Sequence, residues 1–171
     1  MTHAGEKPRA ASTLLLLLGV GIVVGGLLSF YEAIGISIAM TAFGSLFLLY
    51  WAAIQHQAWG EFLPSVIGGM FGIALAWLLL NGGALFGLPG TAASFVVLVC
   101  ALFFYLRGQG HLVVNNGSML FLLVATIPDL HVGQNAAVMI LSLVIGAAWI
   151  GAVSYIAAQV RQAWRNRPTK E

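Results

Sequence analysis

Asn115 and Asn116 are the polar residues best placed to do chemistry in this sequence. They sit just inside a short apolar stretch, Leu112 to Ile127, whose start is also broken by Gly117. Polar groups at membrane depth are costly unless they face a partner or a wet cavity. Two readings follow: the pair caps a helix at the interface, or it lines a solute pathway with Ser118 and the matching Ser45. Glu32, in a tight link between two apolar runs, is either a cation-attracting carboxylate at a pore mouth or a plain surface carboxylate.

Other reactive residue types are sparse. Asp129 and His131 could supply two metal ligands, but tight zinc sites take three or four and no third lies nearby. His56 and Glu61, beside Gln55 and Gln57, read as an interfacial turn rather than a proton relay. The single cysteine, Cys100, excludes an intramolecular disulfide and reads as a small packed hydrophobe. The sequence carries no Gly-rich phosphate loop, Cys-His pair or Ser-nucleophile motif. The expectation is a chain that is not an enzyme and holds neither metal nor cofactor.

The elements that position these residues follow from composition. Of 171 residues, 60% are hydrophobic and 7% charged. Soluble domains carry roughly a quarter charged residues, so this chain could not cover a soluble surface. An all-α integral membrane protein is expected, its first partner the lipid bilayer. A transmembrane helix takes ~20 apolar residues, and the apolar runs suggest six: from Thr13 to about Tyr31, Ala33 to Ile54, Phe62 to Leu80, from near Ala84 or after a Leu88-Pro89-Gly90 turn to Leu106, Leu112 to Ile127, and about Asn135 to Gln159. The first resembles a signal peptide but is longer than a typical h-region, and no small-x-small site follows it, which favours a retained helix. Asn81-Gly82-Gly83 is the expected end of the third run, since Asn and Gly readily adopt the left-handed conformation after a helix. The expected organisation is a cytoplasmic tail over 1–12, one membrane domain over 13–159 and a basic cytoplasmic tail over 160–171.

Charge tests this topology. Six spans with both termini inside place all seven basic residues (Lys7, Arg9, Arg107, Arg161, Arg165, Arg167 and Lys170) on one face, with Glu32 and Asp129 opposite. That is the positive-inside pattern. The basic C-terminal cluster thus reads as an orientation signal, and nucleic acid is not an expected partner.

Helices in lipid associate through close packing at small residues. Gly21 with Gly25, Gly68 with Gly72, and Ser142 with Gly146 are the expected seams. An internal repeat is also visible: Ile73-Ala74-Leu75-Ala76-Trp77 matches Ile145-Gly146-Ala147-Ala148-Trp149, and Gly44-Ser45-Leu46 matches Gly117-Ser118-Met119. Halves of three spans each would be inverted in the membrane, as in many transporters. Chance likeness between apolar segments is the competing explanation.

The segment Phe62-Leu63-Pro64-Ser65-Val66-Ile67-Gly68-Gly69-Met70-Phe71-Gly72, continuing to Ala76-Trp77, resembles the third span of a family of small six-span bacterial inner-membrane proteins of unknown function. The stretch Gly117-Ser118-Met119-Leu120-Phe121, then Pro128 and the Gly146-bearing last span, resembles that family's second half. The Gly-rich third span is also similar to the membrane part of fusaric-acid-resistance-type aromatic acid exporters, whose large cytoplasmic domain has no counterpart here. The resemblance implies a bacterial inner-membrane location and a six-helix fold. It brings no catalytic residue.

Two function classes are compatible with the sequence. One is a transporter or channel for a small neutral or weakly polar solute, either alone or as a homo-oligomer. The alternative is a non-transporting membrane protein that assists or anchors another membrane complex.

Overall fold

The structure, a computed structural model, describes residues 10–36, 41–127 and 135–166. The described residues are helical and include no strand. The elements are α1 (Ala10–Ala33), α2 (Ala42–Leu49) running into a π-helical turn (Tyr50–Ile54), a short 3-10 turn (Trp59–Glu61), α3 (Phe62–Leu106), α4 (Asn116–Ala125) and α5 (Ala136–Arg165).

Six separate crossings do not emerge. Two helices have the length and apolar character of a membrane crossing, Trp59–Leu106 with 48 residues and Ala136–Arg165 with 30. Leu17–Ala33, Ala42–Ile54 and Asn116–Ala125 are shorter apolar helices. At 1.5 Å per residue, α2 with its π turn reaches roughly 20 Å and α4 roughly 15 Å, against ~30 Å of hydrocarbon. Hydropathy measures how far a sequence stays apolar. It does not measure where the helix itself stops.

The longest helix is also bent back on itself. Gly87, at φ 66° and ψ −151°, interrupts α3 in a conformation open to glycine. Pro89 follows, tolerated because the first turn of a new helix has no use for its missing N–H. Ser94 Oγ consequently lies 3.0 Å from the carbonyl of Leu78, sixteen residues earlier, whereas a straight helix would separate them by roughly 24 Å. The limbs 62–86 and 88–106 therefore run antiparallel, with Gly82 against Gly90 and Ser94. The expected break at Asn81-Gly82-Gly83 is not used. Asn81 instead donates Nδ2 to Trp77 O within the helix, 2.9 Å away, and Gly82 is the small residue that lets the limbs close. Asn135 caps α5, accepting from Ala137 N at 2.6 Å, and α5 continues past Gln159 to Arg165.

The core is built by α2, the first limb of α3, α4 and α5. Phe43, Phe47, Trp51, Ile73, Phe121, Met139 and Leu143 are buried there. Contacts follow a simple order. α2 packs on α5, α3 on α4 (Gly72 of its first limb lying against that helix) and on α5, α1 on α5, and the second limb of α3 on the first. The second limb turns most of its apolar side chains outward, including Phe95, Val96, Val99 and Phe103, as does α1 with Leu17, Leu18 and Ile22.

Candidate functional site

Two glycine crossings hold the polar residues in place. At the first, Gly44 of α2 lies against Gly146 of α5, so closely that a Cβ on Gly146 would meet the Gly44 backbone. Gly44 is the third residue of its helix, in the first turn, where N–H groups look beyond the helix for an acceptor. Ser142 Oγ accepts that N–H at 3.1 Å, and Tyr31, fully buried at the end of α1, donates its hydroxyl to Ser142 O at 2.6 Å. Nearby, Trp149 Nε1 donates to Val23 O at 3.1 Å and ties α1 to α5.

At the second crossing, Gly72 of α3 lies against Ser118 O and Leu122 N of α4. Gly68, one turn earlier, faces the Asn115 side chain. Asn115 caps α4: its Oδ1 accepts from Ser118 N at 3.1 Å, while Asn115 N donates to Ser118 Oγ at 3.0 Å. Its Nδ2 donates to Pro64 O at 2.8 Å and to His111 O at 2.9 Å. Asn115 is 6% exposed and Ser118 1%. With both amide hydrogens and the cap acceptor in use, Asn115 is a structural tie between α3 and α4.

The residues expected to share one pathway are thus only partly brought together. Asn115 and Ser118 meet. Asn116 is exposed and its Oδ1 accepts from the Tyr105 hydroxyl at 2.7 Å. Ser45 is half-buried on α2, in the other crossing, and Glu32 is exposed at the end of α1 beside Tyr31. Of the expected seams, Gly68, Gly72, Ser142 and Gly146 lie at close approaches between helices. Gly21 and Gly25 do not: a Cβ on either meets nothing within 4 Å, and the approach falls at Gly26, against Trp149. Asp129 and His131 lie outside the described residues. Among the described residues, no group of three His, Cys, Asp or Glu side chains could hold a metal ion.

What the sequence reading missed is a depression of about 400 Å³ at one end of the bundle, with amide, imidazole and hydroxyl groups set in a partly apolar wall. Gln55, Tyr105, His111, Asn115 and Asn116 line it together with Gly108 and the apolar Leu106 and Val114. Two turns build it. His56 and Gln57, at φ 49° and 59°, reverse the chain after the π-helical turn, and Gly108 and Gly110, at φ 63° and 72°, reverse it after α3. His111 Nε2 stands 3.3 Å from Glu61 Oε2, which joins the two turns. No family model, curated protein or solved structure matches this chain. The depression and the crossings must therefore be interpreted on their own chemistry. The signal that could have located it was the clustering of Gln, Asn and His in two loops, 55–57 and 109–116, that the topology places on one side.

Chemically, the depression offers amide, imidazole and hydroxyl groups. Its lining residues include no Lys, Arg, Asp or Glu. Such a surface recognises a ligand by hydrogen bonds, which are directional and uncharged. Tyr50, buried beneath it, accepts from Gln55 Nε2 at 2.7 Å and fixes that amide.

Proposed function

We propose that this chain is a multi-pass protein of the bacterial inner membrane that passes a small neutral or weakly polar solute. Two inverted halves, α1 through residue 86 and residue 88 through α5, form its frame, with both termini cytoplasmic.

The observation that carries this reading is the pairing order of the helices. Exchange of the two halves turns the α2–α5 contact into the contact between α4 and the first limb of α3. The same exchange turns the α1–α5 contact into the contact between the two limbs of α3. Each half thus contributes one short helix (α2, α4), one long central helix and one peripheral helix. The internal sequence matches fall on the same correspondence. Unusually short apolar segments in corresponding positions of two halves are the feature that marks substrate sites in inverted-repeat transporters. α2 and α4 are such a pair, and each is held at its glycine by a helix of the other half. The polar depression beside the start of α4 supplies a mouth suited to a hydrogen-bonding solute, and Asn116, Gln55 and His111 are its proposed contacts.

Flux into proteoliposomes across a panel of small neutral solutes tests the proposal. The expected result is uptake above that of protein-free vesicles for at least one solute, reduced about tenfold by Asn116→Leu, the effect of one lost hydrogen bond. Uptake equal to empty vesicles across the panel contradicts it. The second reading, a protein that anchors another membrane complex, draws on the face of α1 around Gly21 and Gly25. That face is small-sided and meets no described residue, as a helix awaiting a partner helix would be.

A further inference from the structure

Tyr105 forms part of the wall of the depression. That residue, in the last turn of α3, also lines an apolar groove of about 430 Å³. Leu98 and Leu102 of the second limb, Leu79 of the first, and Met119 and Leu123 of α4 form its walls. The two spaces thus adjoin at one side chain, which borders both and whose hydroxyl is held by Asn116 Oδ1 at 2.7 Å. Tyrosine suits such a junction because it joins an apolar ring to a polar tip.

The geometry points to a binding site for a single-chain amphiphile with an uncharged, hydrogen-bonding head group. This rests on the membrane reading above and narrows its solute class. Three features define that ligand. There is one groove, between the limbs of α3 and α4, and therefore room for one apolar chain. Beside it is one polar depression, and both volumes fall within the ~300–1,000 Å³ of small-ligand sites. The head is uncharged because nothing in the lining would balance a charge. His111 already faces Glu61. The Arg107 guanidinium lies over the Phe103 ring, 5.6 Å from its centroid. Gln55, His111 and Asn116 recognise hydroxyls or amides well, and carboxylates or phosphates without a cation poorly.

The test uses the full chain in phosphatidylcholine nanodiscs with a diazirine-bearing monoacylglycerol, adducts being mapped by peptide mass spectrometry. Adducts are expected on the segments around Leu98–Leu102 and Met119–Leu123, saturable and displaced by unlabelled monoacylglycerol. The same-chain fatty acid, whose head is an anion, should displace them at least about tenfold less effectively. Leu102→Trp, which fills the groove, and Asn116→Leu, which strips the head contact, should each lower labelling by about tenfold. Phe95→Trp, on the same limb outside the groove, should leave it unchanged and shows that the limb tolerates a tryptophan. Labelling that does not saturate, that survives Asn116→Leu, or that fatty acid displaces equally well would overturn the site. Solute flux in parallel proteoliposomes separates the two claims. Labelling intact without flux sinks transport and leaves the amphiphile site, and flux without saturable labelling does the reverse.

Discussion

The two glycine crossings solve one problem in different ways. In each, a short helix must start beside another helix with free N–H groups at its first turn. At the α4 start the solution is local: Asn115 and Ser118 exchange a reciprocal pair of hydrogen bonds, and only Asn115 Nδ2 reaches across to α3. At the α2 start it is imported, because the acceptor for Gly44 N belongs to Ser142 of α5. The first turn of α4 can therefore form before docking, whereas that of α2 is complete only when α5 is in place.

The largest expected effect is at the crossing with no room at all. Gly146→Leu would drive a side chain into the Gly44 backbone, which cannot rotate away, and should cost about 3 kcal/mol, at the upper end of overpacking. Gly72→Leu meets the α4 backbone and should cost nearly as much. Thermal unfolding in mild detergent measures both, and unchanged melting of either would place the seam on the wrong face.

Next is Asn115→Ala. It removes a cap worth ~1 kcal/mol and an interhelical bond worth ~0.6 kcal/mol, so stability should fall by about 2 kcal/mol. Ser142→Ala removes the imported acceptor and a long 3.4 Å contact with the Tyr31 hydroxyl, and should cost about 1 kcal/mol. The comparison sharpens in hydrogen exchange. Ser142→Ala should speed exchange at Gly44 and leave the first turn of α4 alone, and equal acceleration at both would erase the distinction drawn here.

The smallest effects test the periphery. Gly26→Leu must displace Trp149 and should lower the melting temperature measurably. Gly25→Leu, one residue away, faces open space and should change stability by less than about 0.5 kcal/mol. A clear loss of stability for Gly25→Leu in membranes but not in detergent would instead indicate a helix partner on α1, favouring the anchoring reading.

These cases also show what the sequence could and could not tell. The cap at Asn115 was legible, since Asn-Asn-Gly-Ser at the edge of an apolar run is a helix start signal. The Ser142–Gly146 spacing was legible for a similar reason. The Gly21–Gly25 pair has the same spacing and meets no described residue, because four-residue spacing defines a helix face but not which face another helix meets. Of the two places the sequence offers for the turn, Leu88-Pro89-Gly90 adjoins the break at Gly87, whereas Asn81-Gly82-Gly83, where Asn and Gly looked like a helix end, stays helical and Gly82 serves close packing instead. The shortness of the α4 segment was legible in its apolar run, but not how late the helix starts, because Leu112-Val113-Val114 are apolar and lie before the cap at Asn115. The polar depression is assembled from two loops far apart in sequence, which single-segment patterns do not register.

Opposite orientation of the two proposed halves can be tested directly. In a Cys100→Ala background, single cysteines at Glu32 and Gln109, both exposed positions at the two ends of the bundle, can be labelled with a membrane-impermeant maleimide in intact cells and in inverted vesicles. The inverted arrangement predicts that the Glu32→Cys chain is labelled in intact cells and the Gln109→Cys chain in inverted vesicles only. Labelling of both from the same face would contradict it.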